Sequence, residues 1–185
     1  MKYLLSGLLS VLALAPGALA QCFADTNTFN LLPYVGSSEV QFTSCASQAD
    51  GPRVFPLNES TFDWWYFDAV STDGTQALTF IFFTSSYIGF SFDFASAVDP
   101  LNIWVFASFG DGTPSVTFPV VATSVTVTTD GNGATGDWEG SGIKFVGAPD
   151  LSSYVITLDN PLEGLTGTFT LKTVCCLNIA VLEVC

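Results

Sequence analysis

The chemistry available to this sequence is concentrated in one stretch, Ser60-Thr61-Phe62-Asp63-Trp64-Trp65-Tyr66-Phe67-Asp68-Ala69. Two carboxylates, Asp63 and Asp68, stand there among bulky rings. A carboxylate in such surroundings is partly desolvated, which raises its pKa and suits it to donate or accept a proton. The rings beside it can restrain an apolar substrate. Asp63 and Asp68 are therefore the candidate catalytic groups. Trp64, Trp65, Tyr66 and, from the aromatic run that follows, Phe83 are the candidate substrate wall. The competing reading is structural: aromatic side chains are commonly buried for their area alone, and a strand-end aspartate commonly accepts backbone N–H groups.

The rest of the composition removes most other chemistries. The chain has no histidine, which excludes Ser-His-Asp and Cys-His nucleophile pairs and histidine-based metal sites. Four Lys+Arg against 17 Asp+Glu give a net charge of −13, which disfavours capture of nucleic-acid phosphates or anionic lipid. Neutral small molecules fit better. No phosphate-binding glycine loop and no metal-ligand spacing is present, so neither cofactor nor metal is expected. The five cysteines, Cys22, Cys45, Cys175, Cys176 and Cys185, contain no C-x-x-C pair. Cys22 with Cys45 is the preferred disulfide, because it would close a loop-rich amino-terminal arm. Asn58-Glu59-Ser60 is a glycosylation sequon. Residues 1–20 carry Lys2, an apolar run from Tyr3 to Leu14 and the small-residue ending Ala18-Leu19-Ala20, the pattern of a secretory signal peptide. That run is shorter than the roughly 20 residues that span a bilayer. The expected location is the secretory pathway or outside the cell, with no stable membrane insertion.

These groups must be held by strands. With 17 Phe and 49% hydrophobic residues the chain can build a packed core, and it shows almost no helical periodicity after the leader. Phe62 to Val70 and Gln76 to Thr84, separated by Asp73-Gly74, read as a hairpin. Further strands are expected at Ile103 to Phe109, Ser115 to Val121, Ser124 to Thr129, Gly136 to Val146, Tyr154 to Leu158 and Leu165 to Leu171, and the strongest turn at Asp130-Gly131-Asn132-Gly133. The fold class is all-β, an antiparallel sandwich or barrel. Alternation puts Phe62, Trp64, Tyr66, Asp68 and Val70 on one side of the aromatic strand and Asp63, Trp65, Phe67 and Ala69 on the other. Both sides carry rings and one carboxylate, so the strand is expected to be covered twice: by a core, and by a ligand, a loop or another domain.

The string from Ser60 to Ala69 resembles the Trp-Trp-Tyr motif of the carotenoid-hydratase (hydroxyneurosporene synthase) and AttH-like superfamily, and is most similar to the fungal Diels-Alderase proteins. The run Val127 to Gly140, and the segments Asp150 to Tyr154 and Gly167 to Lys172, look like the amino-terminal domain of the same group. The resemblance implies two β domains, an amino-terminal sandwich and a lipocalin-like barrel, with substrate between them. Residues 21–172 would form the first domain. Residues 173–185 depart from the pattern, as a truncated or misread gene would explain. The implied activity is pericyclase-like: intramolecular [4+2] cyclisation of a linear polyene polyketide, by restraint in an apolar pocket lined by Trp64, Trp65 and Tyr66. The alternatives are a non-catalytic apolar-ligand-binding or structural β domain, expected to self-associate where a carboxy-terminal domain is missing, and an isoprenoid double-bond hydratase. Hydratases of this kind carry Glu immediately before Trp-Trp-Tyr, where this chain has Asp63.

Overall fold

The computed structural model describes residues 22–41, 48–90, 99–172 and 183–184. The signal-peptide reading, Cys45, Cys175, Cys176, Cys185 and nearly all of the tail lie outside them. Among the described residues there is no α-helix, only strands and one short 3-10 turn at Pro161–Glu163. The strands are β1 (Thr26–Asn30), β2 (Glu39–Val40), β3 (Val54–Phe55), β4 (Asp63–Val70), β5 (Ala77–Thr84), β6 (Leu101–Ser108), β7 (Val116–Val121), β8 (Ser124–Asp130), β9 (Gly133–Glu139), β10 (Ile143–Gly147), β11 (Ser153–Asn160), β12 (Leu165–Lys172) and β13 (Glu183–Val184).

They form two antiparallel layers and a small two-stranded ribbon, β2-β3. The larger sheet has the order β1-β8-β9-β10-β11-β12-β13, and the smaller is the meander β4-β5-β6-β7. The expected hairpin forms, with Asp63 opposite Thr84 and Val70 opposite Ala77. Asp73 makes its turn: its carboxylate accepts bonds from the Ser71 and Thr75 hydroxyls and the Thr75 backbone N–H. Pro119 lies on β7, an edge strand, where a missing N–H interrupts no central ladder. The Asp130-Gly131-Asn132-Gly133 turn also forms, joining β8 to β9, with Gly131 at φ +58° and its backbone close to Pro149.

One expected strand is divided in two. The stretch Gly136 to Val146 is two strands, because Gly140-Ser141-Gly142 turns the chain between β9 and β10. Gly142 takes φ +73°, a region that favours glycine, and a β-carbon there would collide with the Asp159 carbonyl. Ser141 completes the turn: its hydroxyl donates to the Trp138 carbonyl and accepts the Ile143 N–H.

Between the layers lies an aromatic core. From the smaller sheet come Trp65, Phe67, Phe80 and Phe82, and from the larger Trp138, Phe145, Ile156 and Phe169, all buried. Their rings meet across the gap, Phe82 with Trp138 at 4.9 Å, Phe67 with Phe145 at 5.3 Å and Trp65 with Trp138 at 5.8 Å between centroids. Such pairs are worth about 0.5–1.5 kcal/mol each beyond area burial. The Trp138 indole N–H is satisfied by the Phe83 carbonyl at 2.9 Å, which ties the two sheets together with a buried polar bond.

Candidate functional site

Strand alternation divides β4 as the sequence indicated, but the two sides meet different fates. Trp65, only 6% exposed, and Phe67 face the core. Trp64 and Tyr66 face outward, 44% and 54% exposed, followed on the same side by Asp68 and Val70. Register extends this outer face across the sheet. Tyr66 lies opposite Ile81, and Ile81 opposite Trp104. Asp68 lies opposite Thr79, and Thr79 opposite Phe106. Trp104 and Phe106 stack at 5.9 Å with an interplanar angle of 24°. By register Asp68 is the single acidic residue of this face among the described residues.

At one end of the face the rings gather into a cluster. Trp64 stacks on Phe62 at 5.4 Å and meets Phe90 at 5.2 Å and Phe83 at 5.9 Å. Phe83 shares the outer register but is only 4% exposed, so within the described residues it backs Trp64 more than it offers a surface of its own. The six candidates thus separate. Trp64, Tyr66 and Asp68 stand together on open surface, Phe83 lies beneath Trp64, and Trp65 points into the sandwich. Asp63 is elsewhere.

Asp63 begins β4 at the edge of the smaller sheet and is bound by backbone. Its Oδ2 accepts the Arg53 N–H at 2.5 Å and the Val54 N–H at 3.3 Å, and its Oδ1 accepts the N–H of Trp64 at 2.9 Å. Beside it lies a cleft of about 280 Å³ lined by Asp50, Gly51, Arg53, Asp63, Trp65 and their neighbours. The Tyr154 hydroxyl of β11 donates to Asp50 Oδ2 at 2.6 Å, and the Trp65 indole donates to the Asp50 carbonyl at 2.9 Å. Arg53 donates to the Ala49 carbonyl, while its Nη1 is buried with no acceptor among the described residues.

Burial raises the pKa of both Asp50 and Asp63 above the ordinary carboxylate value. In Asp50 the Tyr154 hydrogen bond and the Arg53 charge oppose that rise, and the charge of Asp63 adds to it. In Asp63 the backbone donors and Arg53 oppose it. Burial likewise pushes the Tyr154 phenol far above its usual value, helped by the neighbouring Asp50 carboxylate. Asp50, Arg53 and Tyr154 had no signal in the sequence. Asp50 and Tyr154 are 104 positions apart, and only the packing of β11 against the 48–54 segment joins them.

Elsewhere, Cys22 is disulfide-bonded, and Cys45, its expected partner, lies outside the described residues. Asn58 sits in a surface turn, its side-chain oxygen accepting from the Ser60 N–H and hydroxyl and its Nδ2 donating to the Gly36 carbonyl. Among the described residues no three Cys, Asp or Glu side chains converge as a metal site would require.

Fold and surface together define a class: an antiparallel β-sandwich whose smaller sheet carries an aromatic, nearly uncharged open face. The chain belongs to the Diels-Alderase-like family, which it matches over residues 32–184. Among curated proteins it is similar to the quinolone epoxide rearrangement protein asqO of Emericella nidulans, 34% identical over 141 residues, covering 75% of this chain and 38% of the relative. It is also similar to the quinolone epoxide rearrangement protein penF of Penicillium thymicola, 30% identical over 147 residues, covering 76% of this chain and 40% of the relative. The chain thus matches about two-fifths of the length of these relatives. Among solved structures, the crystal structure of CghA with Sch210972 superposes with a TM-score of 0.66 at 22% identity, covering 82% of this chain and 40% of that one. This likeness establishes the sandwich fold.

Proposed function

We propose that this chain is the amino-terminal β domain of a pericyclase-like isomerase of fungal secondary metabolism, which holds a neutral apolar substrate against the outer face of β4 to β7. The observation that carries the reading is the exposure of Trp64 and Tyr66 beside Asp68 on a sheet face that a free-standing sandwich would make polar. A carboxy-terminal domain, corresponding to the remaining length of the relatives, is the proposed second wall. Rings on one side and a second domain on the other would fold a flexible substrate into its reactive conformer, lowering the entropic part of the barrier. An intramolecular [4+2] cyclisation of a polyene needs no more: two σ bonds form at the expense of π bonds, and no proton moves.

The two relatives are named as quinolone epoxide rearrangement proteins, which favours a second reaction on the same face, rearrangement of an epoxide. There the C–O bond breaks, the oxygen takes a proton from a carboxylic acid, and the cationic carbon skeleton rearranges before returning a proton to the carboxylate. Asp68, by register the one carboxyl of the outer face among the described residues, is our candidate for that step. Asp63, held by three backbone donors, is better suited to positioning. Hydration of an isoprenoid double bond would need the same acid and has less support.

The test is single-turnover conversion of a linear polyene bearing an activated dienophile, and of an aryl epoxide, by the purified chain alone and with a relative's carboxy-terminal domain. Acceleration of either reaction that Trp64→Ala and Tyr66→Ala each reduce at least about ten-fold would support the reading. No acceleration in either format, with saturable quenching of Trp64 by the substrates, would leave a binding domain instead. The proposal includes entry into the secretory pathway through residues 1–20, a Cys22–Cys45 bridge and a glycan on Asn58. A mature product that begins at Gln21 and loses mass on enzymatic deglycosylation is the expected result.

A further inference from the structure

A second cavity lies away from the outer face, at the end of the sandwich where the two sheets part. It has a volume of about 310 Å³, and its walls come from β4, β5 and β6 on one side and β11 and β12 on the other. Its deep part is apolar: Phe169 is buried and Leu78 and Leu158 are half-buried. The space exists because inner-face positions that a packed core would fill carry almost no side chain. Ala69 and Ala107 flank Leu78 in register, and Gly167 stands opposite Leu158. A β-carbon added at Gly167 would meet nothing within 4 Å. Interiors are otherwise close-packed, with few voids larger than a water molecule, so an opening of this size is a departure from the rest of the core.

The lining also indicates what fits. It contains no Asp, Glu, Lys or Arg, and the whole chain carries −13. A charged ligand would lose hydration with no counter-ion, and an anion would also meet a repulsive field. At the mouth stands Gln76, whose side chain makes no hydrogen bond within the described residues and is open to pair with one polar atom of a guest, whereas Ser108, Thr166 and Thr168 alternate in register with the inner-face Ala107, Gly167 and Phe169 and border the opening through their backbone. An apolar floor with a few polar groups at the rim is the usual composition of a small-molecule site, and the volume lies at the lower end of the range for such sites.

We infer that this end cavity is a second binding site, separate from the outer face, for a small neutral molecule with an aliphatic body and a single hydroxyl or carbonyl head. The body enters between the sheets toward Phe169 and the head remains at the rim, beside Gln76. The site is independent of the reaction proposed above, because it uses the inner faces of the same strands.

The experiment is a methyl-resolved NMR titration of the full chain with 1-octanol as probe and octanoate as its charged counterpart. Saturable shifts at the Leu78 and Leu158 methyl groups are expected, with octanoate at least about ten-fold weaker. Ala107→Leu, which fills the cavity, should weaken octanol at least about ten-fold. Ala69→Leu, on the inner face opposite Leu78, gives a second route to the same loss if the first variant folds poorly. Tyr66→Ala on the outer face should leave octanol binding unchanged. Shifts confined to outer-face residues, equal binding of octanoate, undiminished affinity in both cavity variants, or a self-associated chain that those variants dissociate would each overturn the inference.

Discussion

The two faces of strand β4 carry nearly the same residue types and do opposite things. Trp65 and Phe67 are sealed against Trp138 and Phe145, whereas Trp64 and Tyr66, one position away in each case, stand open beside Asp68. Chemical type does not separate them. What separates them is the second layer: the larger sheet covers one face of the meander and leaves the other uncovered among the described residues. An aromatic ring is therefore evidence of a core only once something is shown to lie on it.

The largest test of this contrast is a pair of alanine variants. Trp65→Ala should lower stability by about 3–5 kcal/mol, since it empties a core site and also removes the indole bond to the Asp50 carbonyl. Tyr66→Ala should change stability by no more than about 0.5 kcal/mol while weakening substrate binding. Chemical denaturation of both variants checks the contrast, and equal destabilisation would break it. A smaller effect is expected at the turn between β9 and β10. Gly142→Ala should cost more than about 1 kcal/mol by the same measurement, because of its φ of +73° and the collision with Asp159.

A third test uses pH. Asp50 and Asp63 have pKa values raised by burial in the folded chain, so the folded state binds more protons than the unfolded state in the window above the ordinary carboxylate value of 3.8. Their contribution to stability is complete below that value and is lost as pH rises through the folded pKa. The melting temperature should fall from about pH 4 toward neutrality, with a shallower slope in Asp50→Asn, which keeps an acceptor for Tyr154. A slope unchanged by that substitution would separate the cluster from the pH response. The smallest structural effect belongs to Asp68→Asn, which should leave thermal stability within about 0.5 kcal/mol of the parent. In an epoxide-opening assay the same variant should lose activity, and in a polyene cyclisation assay it should not, so it also separates the two proposed reactions.

Much of the scaffold was legible because it depends on local rules. The hairpin around Asp73-Gly74 and the turn at Gly131 could be read from turn residues, and the sorting of β4 into two faces from its period of two. The turn at Gly140-Ser141-Gly142 was not legible, for a local reason as well: it is short, and only its glycine backbone and the bonds of Ser141 reveal it. The candidate residues were half legible. Trp64, Trp65, Tyr66, Asp63 and Asp68 could all be named from the sequence, but Asp63 proved to be a backbone acceptor at the sheet edge. The Asp50–Tyr154 pair could not be named, because it depends on contact between segments remote in the chain.

By itself the sequence determined the all-β class, the family resemblance and the alternation that puts two rings and a carboxylate on each side of β4. Those properties follow from side-chain type and a fixed strand repeat. Only the tertiary structure decided which side became core, because burial depends on what packs above a strand. The cavity at the end of the sandwich was decided in the same way: alanine and glycine are ordinary residues in a strand, and they leave a void only where two sheets fail to close over them.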